Sequence, residues 1–450
     1  MEESGSVTEK ATYEGKEKTM WAYNSVFYQI YPFGFCGAPK ENDGITLNRI
    51  RKVTEWIPHI RKTGANAIYF CPIFSADRHG YDTRDYRTVD GRLGSNADFA
   101  AVCDSLHMAG FHVVLDGVFN HVGRGFWAFQ DVLKNRERSL YKDWFVNLRF
   151  DGDNGYHDGL WYEGWEGHYE LVKLNLQNPA VVQHLFDAIA GWVREFDIDG
   201  LRLDVAYSLP HDFLRSLRTF CNGLKPDFYL LGEVMHGDYR TVLNDEMLNS
   251  VTNYQAYKGL WSSFNSMNLF EINSTMENQY GLYQGKNMLN FVDNHDVTRV
   301  ASILTNPEHL KLIYALLFAM PGTPCLYYGS EWGALGKKES GSDDELRPCF
   351  EEPVENDLTD FIAVCSKAYI QEKALHAGHF RKVLLTNRQY IFERECEGER
   401  ILVAINADAE RYVAHFNANA GCAVDLLTGK KHDFGGGSEL MPYSAAYWKI

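Results

Sequence analysis

Short apolar runs alternating with amphipathic helical patterns constrain the fold of this chain more than any other feature. Residues 26–31 form a β-type run closed by Pro32. From Leu47 the apolar residues Ile50, Val53, Ile57 and Ile60 recur at helical spacing, and Gly64 ends the pattern. Residues 67–70 and 111–116 read as the second and third strands. Between them lie a polar loop, 77–90, and a helix from Asn96 to Ala109 stopped by Gly110. Further on, helices at 181–196 and 210–222 alternate with strands at 200–204 and 228–233. Weaker strands follow at 250–253, 288–293 and 325–328, the last preceded by a helix over 309–320. Eight strands with helices between most of them predict an α/β protein, a parallel (β/α)8 TIM barrel rather than an open sheet.

Two stretches break the rhythm. Residues 120–178 are rich in Trp, Tyr, Gly and Asp, and are too long for a structureless loop in a compact domain. They read as a small subdomain B inserted after the third strand. From about 375 the chain turns to short β-runs separated by glycines, such as 390–393, 401–405 and 445–448, which predicts a C-terminal antiparallel β-domain. The expected organisation is a disordered extension over 1–20, a barrel over 21–119 and 179–374, the insertion at 120–178, and the β-domain at 375–450. A chain of 450 residues is long enough for such a division.

Composition narrows the partners. A formal charge of −16 disfavours nucleic acid and anionic membranes, both of which need a basic face, and suits a neutral substrate. With 26 Tyr and 10 Trp the chain has many amphipathic rings, which suit sugars. Nine cysteines, scattered singly, read as reduced core thiols. The first residues lack an apolar signal core, and no apolar run is long enough to span a bilayer. The expectation is a soluble cytoplasmic protein.

Catalytic groups of a parallel barrel lie at the C-terminal ends of its strands. Those ends carry His79–Asp82, Asp116–His121, Arg202 with Asp204, Glu233, and Asp293–Asp296. Singly, these residues have plain structural readings. Arg202 and Asp204, two apart on one strand face, make an ordinary ion pair, and His121 or His295 is an ordinary core histidine. Jointly they bring Asp204, Glu233 and Asp296 together from three strand ends. Glycosidic cleavage needs one carboxyl to protonate the leaving oxygen and another to meet the charge at the sugar carbon. Arg202 is expected to hold Asp204 ionised, and the apolar run before Glu233 to favour its protonated form.

On these residues the chain resembles the α-amylase superfamily, glycoside hydrolase family 13, from Val26 to its end. The matching segments are 116–121, 200–204, 232–233 and 291–296. The resemblance implies a TIM barrel with a subdomain after strand three and a C-terminal β-sandwich. It implies retaining double displacement, with Asp204 as nucleophile, Glu233 as general acid and base, and Asp296 binding sugar hydroxyls. Arg202, His121 and His295 would bind at the same subsite, with Tyr81 stacked under the sugar. The 171–175 segment with Lys173, the run Gly232 to His236, and Leu346-Arg347-Pro348 are similar to the neopullulanase, cyclomaltodextrinase and maltogenic amylase group. That adds Lys173, Met235, His236 and Arg347 as substrate-binding residues. It also implies cleavage of α-1,4 bonds in maltooligosaccharides or cyclodextrins, with some α-1,6 bonds.

Two departures stand out. Tyr207-Ser208 replaces the lysine-histidine pair that serves a substrate subsite and calcium in many α-amylases. Asn120 and the 151–154 loop offer oxygens, but that loop reads equally as a solvated turn, so no metal and no cofactor are expected. The first strand begins by Val26, which leaves no room for that group's N-terminal domain, and the oligomeric state stays open. Two rivals share the site. One is a 4-α-glucanotransferase, with Tyr207 and Met235 disfavouring water; the other is a non-catalytic sugar-binding relative, which would normally have lost a carboxylate.

Overall fold

Eight parallel strands form one ring. They are β1 (Phe27–Ile30), β2 (Ala67–Phe70), β3 (His112–Gly117), β4 (Gly200–Leu203), β5 (Tyr229–Gly232), β6 (Ser250–Val251), β7 (Leu289–Phe291) and β8 (Thr323–Tyr327). The computed structural model describes residues 20–283 and 285–450. The extension expected over 1–20 lies, Met20 apart, outside them. The strands follow chain order around the sheet, β8 pairing with β1, so the ring lacks only the β6–β7 contact. A parallel bridge from Thr252 to Leu289 supplies it. The strands there are short, and side chains reinforce the join: Asn253 Nδ2 donates to Asn290 Oδ1 at 2.7 Å. Nearly every strand residue is buried, as expected of a sheet covered on both faces.

Between β3 and β4 the insertion forms its own three-stranded sheet. His168–Lys173 is its middle strand, flanked by His121–Gly123 and Gly164–Trp165. After residue 378 a six-stranded antiparallel sheet begins, and a two-stranded ribbon, Tyr412–Ala414 with Ser438–Leu440, covers it. Ile391, Leu402, Ala404 and Trp448 from the sheet pack with Ala414 and Leu440 from the ribbon, the second core of a β-sandwich.

Two stretches differ from the sequence reading. The supposed polar loop at 77–90 carries an antiparallel hairpin, Phe74–Ala76 with Thr83–Val89. Its register shifts twice, and its buried residues Thr83, Tyr86 and Val89 recur every third position, so period-two alternation is absent. Helices Tyr254–Asn265 and Phe270–Leu282 were not expected. Both bury polar groups, Ser263 in one and Asn273 with Gln279 in the other, which interrupts the apolar stripe that marks a helix. Among the described residues no helix is long and apolar enough to cross a membrane. No cysteine is in a disulfide, and six of the nine are buried.

Candidate active site

Register alone gathers the central residues. Asp116 on β3 lies beside Arg202 on β4, and parallel neighbours in one row share a face. Two positions on, Asp204 leaves β4, and one row across, Glu233 leaves β5, where its N–H donates to Leu203 O. Gly232 allows this approach, because a Cβ there would stand 2.4 Å from Leu248 Cδ1 and 2.9 Å from Ala206 Cβ.

Arg202 is the hub. Its Nη1 donates to both oxygens of Asp116, at 3.0 and 2.8 Å, and to Asp204 Oδ1 at 2.8 Å. Its Nη2 lies 2.6 Å from Glu233 Oε1. All four side chains are buried, so this is one cation set against three carboxylates in a low-dielectric setting. Burial pushes Asp204 well above the ordinary carboxylate range; Arg202 opposes it, while Glu233 and Asp116 reinforce it. Burial likewise pushes Asp116 up to about 7 against the pull of Arg202. This corrects the expectation that Arg202 holds Asp204 ionised, since the guanidinium is divided three ways. Glu233 is not left against apolar residues either. Its Oε2 accepts the Val205 N–H at 3.0 Å and its Oε1 the Tyr254 hydroxyl at 3.4 Å.

Val205 has φ +40°, which a β-branched residue rarely adopts. That turn aims its amide at Glu233, and no sequence pattern announces it.

A second cluster surrounds Asp296. Its Oδ1 accepts from Arg347 Nη2 at 2.7 Å, and its Oδ2 lies 3.0 Å from His295 Nε2. Gln29 Nε2 lies 2.9 Å from His295 Nδ1, so the amide donates there and the ring proton sits on Nε2. Burial pulls His295 down to about 3, hence neutral. Burial would raise Asp296, yet His295, Arg347 and Arg202 outweigh it and hold the carboxyl at about 2. With His295 neutral, Arg347 is the governing charge. The Asp296 side chain is 35% exposed and thus open to a ligand.

Tyr81 bridges the clusters. Its hydroxyl lies 3.3 Å from Asp116 Oδ2 and hydrogen-bonds His295 Nε2, and its ring is parallel to that of His295. His121 accepts from Asn120 Nδ2 at Nδ1, which leaves Nε2–H facing Asp204 Oδ2 at 3.9 Å without a partner. Burial pulls His121 to about 3 as well.

The remaining sequence candidates stand further out. Lys173 pairs with His121 across the insertion sheet, but its amine goes to Glu163 at 2.6 Å. Met235 and His236 are exposed on the loop after Glu233, with the His236 ring 5.5 Å from Tyr207. Sequence reasoning missed Gln29, Asp116 as a third claimant on Arg202, Val205 and Tyr254. Gln29 had a signal, a lone amide in an apolar strand.

Among the described residues no group of three or more His, Cys, Asp or Glu is placed to hold a metal ion. In the 151–154 loop, Asp153 accepts from the Gly159 N–H and lies beside His157, and Asn154 accepts from Tyr156 N–H.

Comparison with known proteins gives concordant matches. The family described as "Alpha amylase, catalytic domain" matches residues 29–360. A cyclomaltodextrinase from a Bacillus species is 33% identical over 86% of this chain and 73% of its own length. The intracellular maltogenic amylase of Bacillus subtilis is 31% identical over 88% of this chain and 70% of its own. Among solved structures, the cyclic α-maltosyl-(1→6)-maltose hydrolase of Arthrobacter globiformis aligns with a TM-score of 0.83 at 29% identity, covering 96% of this chain and all of that one.

Proposed function

Because this chain belongs to the alpha-amylase family, we propose that it is a cytoplasmic retaining glycoside hydrolase acting on α-1,4 bonds of maltooligosaccharides and cyclodextrins, with some α-1,6 cleavage. The observation that carries this reading is the single guanidinium holding both Asp204 and Glu233. Two carboxyls held at one guanidinium are the near pair that a retaining mechanism uses, one as nucleophile and one as acid and base.

In the first step Glu233 gives its proton to the glycosidic oxygen while Asp204 attacks the anomeric carbon. The carbon–oxygen bond to the leaving sugar breaks and an ester to Asp204 forms. Arg202 favours the charged form of Asp204, and the unpartnered Nε2–H of His121 points at its other oxygen. Glu233 then takes a proton from water, which attacks the same carbon and frees Asp204. Asp296, charged and half-open, accepts from two sugar hydroxyls, while the Nε2–H of His295 stays on the Tyr81 hydroxyl and fixes that ring. Tyr81, between the two clusters, forms the floor under the sugar ring.

The test is Glu233→Gln, assayed by release of reducing sugar from maltotriose and a cyclodextrin. Turnover should fall by about 10³-fold or more with the fold intact. Undiminished turnover would remove the assignment. A second outcome, transfer to another sugar, is favoured by the exposed Met235, 47% accessible, and by Tyr207 on the loop after Asp204. Products longer than the starting maltotriose would establish it.

A further inference from the structure

A cavity of about 600 Å³ opens between the barrel and the β-sandwich. Asn24, Met288 and Gly322, which lead into β1, β7 and β8, line it, so it lies at the end of the barrel opposite the catalytic carboxylates. Its volume is that of a metabolite site, and domain junctions are common places for one.

Its charge differs from that of the rest of the molecule. The chain carries −16, yet no Asp or Glu stands among the described residues lining this cavity. Lys286, Lys373, His376, His379 and Arg394 do. Arg394 is 1% exposed; its Nη1 and Nη2 donate to the carbonyls of Ala319 and Gly378, and among the described residues its Nε has no partner and no carboxylate pairs with it. Burial draws it down to about 10, still cationic at neutral pH. A buried cation without a counter-ion projects positive potential into the space it borders.

Two rim lysines have partners outside the cavity: Lys286 pairs with Asp245, and Lys373 lies 2.6 Å from Glu397. The second pair is 49% exposed at Lys373 and 74% at Glu397, so it holds weakly and yields to a better anion. Lys373 and His376 stand three apart on one helical turn and so share a face. His376 Nδ1 donates to Tyr369 O, so Nε2 is the ring's acceptor and can hold the proton of a phosphate monoanion. The rings of Tyr280 and Tyr283 complete the wall.

We propose that this cavity binds a small phosphorylated sugar-like metabolite, its phosphate at Lys373 and His376 near Arg394 and its body against Tyr280 and Tyr283. The phosphate would replace Glu397 at Lys373 and supply the negative charge the cavity lacks. This site is independent of the catalytic reading.

Calorimetric titration of the full chain tests it, with glucose 1-phosphate, inorganic phosphate and glucose as probes. Glucose 1-phosphate should bind saturably, more tightly than phosphate, and glucose should give no heat. Lys373→Glu should weaken binding about tenfold or more, and His376→Gln should weaken it too. Lys430→Glu, on the exposed surface of the sandwich, should leave it unchanged. Equal affinity for glucose 1-phosphate and phosphate would overturn the metabolite and make free phosphate the occupant. Absence of saturable binding by any probe, or binding indifferent to Lys373→Glu, would overturn the site. Loss of binding in Asp296→Asn with retention in Lys373→Glu would move the ligand to the catalytic end.

Discussion

Replacing Arg202 with methionine would remove the one cation that Asp116, Asp204 and Glu233 share. Each carboxylate would lose at least one charge-assisted hydrogen bond, about 1.5–3 kcal/mol apiece. Breaking a buried pair from one side costs about 3–5 kcal/mol. The full sum would not appear, because burial already favours the protonated form of Asp116 and Asp204 and a proton can replace the guanidinium. Arg202→Met should therefore cost about 4 kcal/mol at neutral pH. Asp116→Asn alone should also destabilise, because an amide cannot accept from Nη1 at both atoms. In the Arg202→Met background the same change should be neutral or restore about 1 kcal/mol, because the buried carboxyl has already lost its donor and must take up a proton that an amide does not need. The pH dependence has a definite sign. Carboxyls with raised folded pKa values bind protons better folded than unfolded, so their contribution is fullest below about pH 4 and is lost as pH rises through about 7. Removing Arg202 raises them further, so the deficit should shrink as pH falls from 8 to 5. Urea unfolding of the two single variants and the double variant measures both effects. Additivity within about 0.5 kcal/mol, or a deficit that does not vary with pH, would refute the shared-cation argument.

Two further outcomes follow from other sites. Burial would raise Asp199, but His107 and His112 close beside it, Lys225 at 2.8 Å and the Val113 amide at 2.8 Å hold it well below the usual range. Its stabilisation is present above about pH 4 and lost as pH falls through the folded value, so Asp199→Asn should cost about 2 kcal/mol at pH 7. The gap should close in acid; equal urea midpoints for the variant and the parent at pH 7 would contradict this. Gly34→Ala would place a Cβ 2.0 Å from the carbonyl oxygen of Arg347 and push away the loop whose side chain holds Asp296. kcat/KM on maltotriose should fall by up to about 100-fold, more than any loss of melting temperature explains, and unchanged kinetics would show that the loop yields without disturbing Asp296.

The barrel was legible because its strands are continuous apolar runs and its outer helices show a helical period, as at 52–62 and 181–196. The position of Asp204, Glu233 and Asp296 just past the C-terminal ends of their strands was legible because each follows an apolar strand run. The two helices between 254 and 282 were not, since residues such as Asn273 and Gln279 are buried by amide hydrogen bonds and tertiary packing. The electrostatics were not legible either. The Arg202–Asp204 spacing in sequence suggests a private ion pair, whereas Asp116, 86 residues away, and Glu233, on the next strand, claim the same guanidinium. Two of the three charges thus reach the site through sheet register, which local spacing does not encode.

That sharing bears on how the site does its chemistry. A one-to-one pair would leave a fixed anion with no proton in reserve. Three carboxylates on one buried cation cannot all be charged cheaply, so the cluster holds a proton near neutral pH. Under the roles proposed above, the reaction needs such a proton on Glu233 and a charge on Asp204 when substrate arrives. In the empty site Glu233 accepts at both oxygens, from Arg202, Tyr254 and Val205, whereas Asp204 Oδ2 has only His121 Nε2 at 3.9 Å. Asp204 Oδ2 is thus the least solvated carboxylate oxygen of this pair and the natural seat of the proton at rest. The proposed roles require the proton to pass to Glu233 as substrate enters, an exchange inside the Arg202 cluster. Asp296 stands outside this exchange because Arg347, not Arg202, governs its charge, so it can bind hydroxyls throughout without competing for the proton.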